Sequence, residues 1–166
     1  YRAIEMQLGS GGSKATVGID FKANFLKSMQ LYGQLAISEF VFKEIRNYSR
    51  GSWMNKQALQ LGAKYIDVAG INNLDLQVEM NLVRPFMYTH NDSNTAFVHY
   101  NKELAHPLGA NFGEYLAVLK YQPIPRLYLT GKLMYYKQGL DSMGVNMGND
   151  LFRSYLTRPR EYGFHI

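Results

Sequence analysis

The stretch "NLDLQVEMNLV", residues 73–83, sets Leu74, Leu76, Val78, Met80 and Leu82 on one parity and Asp75, Gln77, Glu79 and Asn81 on the other. Strict alternation is the mark of a β-strand, because a helix would bring apolar residues together at spacings of three and four. Strands of ordinary domains run about five or six residues. This segment runs about twice as far, so something other than a small protein core sets its length.

The pattern recurs along the chain. In "KATVGIDFKANFL" (14–26) Ala15, Val17, Ile19, Phe21, Ala23 and Phe25 oppose Lys14, Thr16, Asp20, Lys22 and Asn24. Segment 29–38 sets Met29, Leu31, Leu35 and Ile37 against Gln30, Gln34 and Ser38, and segment 57–68 begins with Leu59, Leu61, Ala63 and Tyr65 against Gln60, Gly62 and Lys64, then loses the pattern at Ile66. Segments 112–122 and 127–137 repeat it, the first with more noise, and "AIEMQL" and "YGFHI" at the two ends also alternate. The reading is about eight strands, the outer two cut short. Connections between them alternate in kind. "LKSM", "GINN" and "QPIPR" are short and two of them are rich in turn formers, whereas "KEIRNYSRGSWMN", the stretch 88–111 and the stretch 139–160 are long.

Strands of about ten alternating residues, with short turns at one end and long loops at the other, describe a transmembrane β-barrel of the bacterial outer-membrane type. Crossing a bilayer takes about 9 to 11 tilted strand residues, which accounts for the length. Backbone amides in hydrocarbon need partners, so such a sheet must close on itself. The expected fold is therefore all-β, an antiparallel transmembrane β-barrel in which residues 1–166 form one barrel segment. A final strand of about half the needed length would leave an open edge in lipid, which makes the chain a part of a larger barrel, truncated at both ends. A soluble antiparallel barrel or sandwich with one polar face is the competing fold, and strand length and loop asymmetry stand against it.

On the membrane reading Glu5, Gln7, Asp20, Lys22, Gln30, Gln34, Lys64, Asp75, Gln77, Glu79, Asn81, Glu114, Lys120, Thr130 and Lys132 face the lumen. Phe25, Phe40, Phe42, Phe86, Tyr88, Phe112, Tyr121 and Tyr128 lie near strand ends, where amphipathic rings suit the headgroup boundary. Thirteen tyrosines against one tryptophan suit such a girdle.

Composition excludes some classes. There are no cysteines, hence no disulfide, thiolate site or cysteine nucleophile. The longest apolar runs are fragments such as "YLAVL", far short of the roughly 20 residues of a membrane helix. Net charge is +5, yet Lys14, Lys22, Lys64, Lys120 and Lys132 are scattered singly, so the basic stripe of a nucleic-acid binder is missing.

Chemical motifs are weak. His90, Asp92, His99, Glu103 and His106 share one long loop, but their spacing matches no compact metal motif. "GSGGSK" (9–14) lacks phosphate-loop spacing, and "LDSMGVNMGND" (140–150) lacks the alternate ligands and closing Glu of a calcium loop. Ser38, Ser49, Ser52, Ser93 and Ser142 have no nucleophile setting, and Asp75 and Glu79 on one strand face suit an interior charge network. No catalytic, cofactor-binding or metal residue is assigned, and no cofactor is expected.

The segment "NKQALQLGAKYIDVAGINNLDLQVEMNLVRPFMYTHND" with "HYNKELAHPLGANFGEYLAVLKYQPIPRLYLTGKLMYYKQGLD" resembles the barrel region of Bacteroidota outer-membrane proteins of the gliding-motility RemB type, and more distantly the capsule-assembly Wzi family. "LAHPLGANF" and "KYQPIPRL" are its most specific parts, and Lys120 stands where the family has arginine. The resemblance implies an outer-membrane barrel at the cell surface, associated with motility or surface polysaccharide, with no catalytic position to carry over. The expected function is thus a non-enzymatic surface structural or interaction component. Its expected partners are outer-membrane lipid and lipopolysaccharide, and another outer-membrane protein, a surface lipoprotein or a glycan. A diffusion channel or transporter is the alternative, and an outer-membrane hydrolase a third.

Overall fold

The computed structural model describes residues 16–39, 56–89, 98–99, 102–103, 106–141, 144–150 and 152–157. In chain order the strands are β1 (Val17–Phe25), β2 (Met29–Glu39), β3 (Lys56–Tyr65), β4 (Leu74–Val83), β5 (Val98–His99), β6 (Lys102–Glu103), β7 (Phe112–Ile124) and β8 (Leu127–Gln138). The fold is all-β, and among the described residues no helix is long and apolar enough to cross a membrane. Six strands form one antiparallel sheet in the order β1-β2-β3-β4-β7-β8, while β5 and β6 pair only with each other.

The six long strands are those expected from the alternation. They run 9, 11, 10, 10, 13 and 12 residues. At about 3.3 Å per residue, ten residues extend roughly 33 Å. The terminal segments "AIEMQL" and "YGFHI", with Glu5 and Gln7, lie outside the described residues. Among the described residues the sheet is open, with β1 and β8 at its edges.

Register locks the parity of one strand to the next, so each face is continuous across the sheet. One row reads Ala23, Leu31, Ala63, Val78, Ala117 and Leu133, and the next Phe21, Gly33, Leu61, Met80, Tyr115 and Tyr135. The opposite face reads Asp20, Gln34, Gln60, Asn81, Glu114 and Tyr136 in one row and Asn24, Gln30, Lys64, Gln77, Val118 and Lys132 in another. A slip of one residue would exchange every side chain between the faces, which is why the pattern specifies register strongly.

The apolar face is exposed, and on β1 and β8 both faces are. Val17 and Ile19 are 65% exposed and Leu133 73%. The buried cluster lies elsewhere. Val83, Met87, Ala110 and Phe112 gather at the end of the sheet that carries the long connections, with Ala36, Ala58, Tyr88 and Leu108 packed against them. Ala36, Ala58, Val83 and Phe112 are register partners on the polar parity, so the small core sits on that side of the sheet.

Some expectations need correction. Phe86 and Phe112 are fully buried, and Tyr88 packs against the same cluster, so these three rings do not form a boundary girdle. Burial also pushes the Tyr88 phenol above its ordinary pKa. Phe25 and Tyr121 do keep apolar parity near the short-turn end, Tyr128 is exposed on the other parity, and Phe40 and Phe42 lie outside the described residues. The strand in segment 57–68 stops at Tyr65, where the alternation is lost at Ile66 as expected, and Asp67, Ala69 and Asn73 take positive φ around a 3-10 turn at Val68–Gly70. That connection covers 66–73 rather than "GINN" alone, and Asp67 braces it by accepting the Asn73 N–H at 2.7 Å.

Glycines admit close packing inside the sheet. A Cβ on Gly33 would meet the Phe21 ring at 2.6 Å and the Gln60 carbonyl at 2.9 Å, whereas one on Gly131 would meet nothing. Gly33→Ala is therefore expected to cost about 1–3 kcal/mol in equilibrium unfolding. Gly131→Ala should leave stability unchanged or raise it by roughly 0.5–1 kcal/mol, since alanine loses less backbone freedom on folding.

Candidate functional site

The polar face centres on Glu79, near the middle of β4. Its carboxylate accepts from Tyr32 Oη at 2.7 Å, Gln60 Nε2 at 2.9 Å, Asn81 Nδ2 at 3.0 Å and Gln77 Nε2 at 3.5 Å. Four donors from three strands converge on a group that, ionised, only accepts. The network then extends. Gln77 also donates to Tyr32 Oη at 2.9 Å, and Asn81 donates to Glu114 Oε2 at 2.9 Å.

Tyr32 on β2 reaches Glu79 on β4 by lying across the intervening strand. Its register partner there is Gly62, and any Cβ at that position would overlap the ring. Such an aromatic cover over a strand glycine is a recognised device for sheets. Lys64 Nζ stands 5.6 Å from the same ring centroid. Beside this network lies a polar groove of about 520 Å³ bordered by Asp20, Lys22, Gln30, Gln34 and Lys64.

At the long-connection end the network meets His106. Its Nδ1 accepts the Leu108 N–H at 3.2 Å, which leaves the proton on Nε2, 3.2 Å from Glu114 Oε2. The ring also packs on Phe112 with centroids 4.6 Å apart. Both ring nitrogens are thus engaged, and neither is left to activate a hydroxyl.

The sequence candidates separate accordingly. Asp20, Lys22, Gln30, Gln34, Lys64, Gln77, Glu79, Asn81, Glu114, Thr130 and Lys132 share the expected face, as do Asp75 and Lys120, which are register partners near the short-turn end. Asp75 braces the turn through the Asp67 N–H at 3.4 Å and has no part in the Glu79 network. His90 and Asp92 lie outside the described residues, as do Ser49, Ser52, Ser93, Ser142 and the stretch 9–14. His99 and Glu103 fall in the short β5 and β6, and among the described residues no cluster of three or more His, Asp or Glu could hold a metal. Ser38 accepts from Thr16 at 3.5 Å. Asp141, in the stretch 140–150, spends both oxygens on Arg153 at 3.0 Å and the Met147 N–H at 2.9 Å.

Tyr32 escaped the sequence reading, although its even parity beside Gln30 and Gln34 was visible. Its significance depends on facing Gly62, which only the register reveals. No protein-family model, no curated protein and no solved structure matches this chain.

Glu79→Gln would set an amide donor among four donors and is expected to cost about 1–3 kcal/mol, against roughly 0.5–1.5 for Tyr32→Phe. A double-mutant cycle on unfolding free energies should show coupling of about 0.5 kcal/mol or more between the two positions. Strict additivity would mean that the contact contributes nothing.

Proposed function

We propose that this chain is part of a transmembrane β-barrel of the bacterial outer membrane and serves as a non-enzymatic structural or interaction component of the cell surface. The observation that carries the reading is the exposed apolar face on strands of membrane-crossing length. Soluble monomers rarely leave apolar patches larger than a few hundred Å² in water. Here the face spans all six strands, from Val17 and Ile19 on β1 to Leu133 on β8.

Lipid is the natural cover for it. Roughly 33 Å of strand tilted by about 40° spans roughly 25 Å, the height of the apolar band on outer-membrane barrels. A shallow trough of about 470 Å³ along this face, lined by Leu31, Ala63, Val78, Met80, Ala117 and Leu133, has the chemistry of acyl chains. The Glu79 network then faces the lumen, and the edges at β1 and β8 are joined by further strands, as closure in hydrocarbon requires.

The long connections lie at one end of the sheet, which on this reading is the outer surface, and the short turns at 26–28, 66–73 and 125–126 lie at the other. The resemblance to the RemB-type barrels supports a link to gliding motility or surface polysaccharide assembly. Lipopolysaccharide and lipid would surround the barrel, with another outer-membrane protein, a surface lipoprotein or a glycan engaged through the loops. A diffusion channel is the second reading, favoured by the polar groove beside Tyr32.

Neighbouring residues on β8 separate lipid from water. Leu133 and Met134 are 73% and 50% exposed, so in a soluble protein an arginine at either site would be tolerated. In a bilayer Leu133→Arg is expected to cost about 2–4 kcal/mol and to impair assembly, measured as the heat-modifiable folded band in liposomes. Met134→Arg should fold normally. Equal tolerance of the two would count against the membrane reading.

A further inference from the structure

The polar parity is interrupted toward its long-connection end. Its middle rows carry Asp20, Gln34, Gln60, Asn81 and Glu114, but a row nearer that end reads Gly18, Ala36, Ala58, Val83 and Phe112, closed by Gln138 on β8, with Thr16, Ser38 and the buried Lys56 beyond it. An apolar row facing a water-filled lumen would be wasted burial unless protein covers it. Protein does cover it. Met87, Tyr88, Leu108 and Ala110 pack there, and the small Ala36 and Ala58 leave room for them.

Resting on the barrel reading, we propose that segments 84–89, 106–111 and 144–150 form a seated stopper that folds inward over this row and holds the barrel shut at its outer mouth. The three segments bind one another as one unit. Phe86 N–H donates to the Gly148 carbonyl at 3.1 Å, and Asn111 N–H to the Arg84 carbonyl at 3.4 Å. Asn111 Nδ2 donates to the carbonyls of Gly139 at 3.1 Å and Met147 at 2.9 Å. Gly148, at φ 79°, has no room for a Cβ beside Phe86.

The stopper is latched to the sheet and to itself by side chains. Gln138 Nε2 at the end of β8 donates to the Leu108 carbonyl at 2.6 Å, and Asn149 Nδ2 to the Ala110 carbonyl at 3.1 Å. His106 adds its bond to Glu114, whose carboxylate is tied through Asn81 to the Glu79 network. Loops that merely projected into solvent would need neither an apolar seat nor these anchors. The stopper gives the surface a fixed shape and keeps the polar groove from becoming a continuous pore.

The test uses the full chain in planar lipid bilayers and, in parallel, hydrogen exchange of the folded protein. The wild-type barrel should show ion conductance at least tenfold below that of a Gln138→Ala/Asn149→Ala variant or of one with 106–111 replaced by glycine and serine. Amides of Phe86, Gly109 and Asn111 should exchange at least a hundredfold slower than unprotected ones. Wild-type conductance equal to that of the variants overturns the stopper, as does unprotected exchange at these amides. A chain that never enters the bilayer overturns the barrel reading instead, while exchange still reports whether the three segments are seated.

Discussion

A backbone amide carried into hydrocarbon must bring its partner with it, because no water is there to replace a missing hydrogen bond and each orphan costs several kcal/mol. On the proposed membrane reading, that constraint applies to six strands with an exposed apolar face. It favours long strands over short ones and meander neighbours over crossovers. The six strands run 9 to 13 residues in antiparallel register, with irregularities near strand ends between Ile37 and Glu39 and between Tyr121 and Ile124.

The opposite face answers a different requirement. A carboxylate in the middle of a sheet needs donors, and Glu79 receives them from β2, β3 and β4 together. The bond from Tyr32 crosses a whole strand, which ties the register of β2 to that of β4 through the bare backbone of Gly62. Networks of this kind are sensitive to partial loss, since each remaining donor then points at nothing. Glu114 and His106 continue the same chain of bonds toward the connections, so one hydrogen-bond chain joins the polar face to the loop cluster.

Alternation in the sequence was enough to place six strands and to sort their residues into two faces, because parity is a local property. It foretold Glu79 and Asn81 on one side with Val78 and Met80 on the other. Parity says nothing about which residues stand opposite across strands, so Tyr32 over Gly62 stayed hidden. Nor does it tell a boundary aromatic from one folded inward. Phe86 and Phe112 were read as girdle rings and are instead buried, the first in a turn at φ 62° and the second beneath the loop cluster. The full length of the turn at 66–73 is hidden for a related reason: left-handed Asp67 accepts the Asn73 N–H and left-handed Ala69 donates its N–H to Tyr65 Oη, bonds that no local composition announces.

Whether lipid covers the apolar face is decided most directly by nitroxide labels placed one at a time along β8, from 127 to 138, in the folded protein in bilayers. Collision with oxygen, which concentrates in hydrocarbon, should peak at odd positions such as 129, 131, 133 and 135, and collision with a water-soluble nickel chelate should be lowest at those same positions. Equal access of the nickel chelate to both parities, or an apolar face shielded from both reagents by protein, would contradict the membrane assignment.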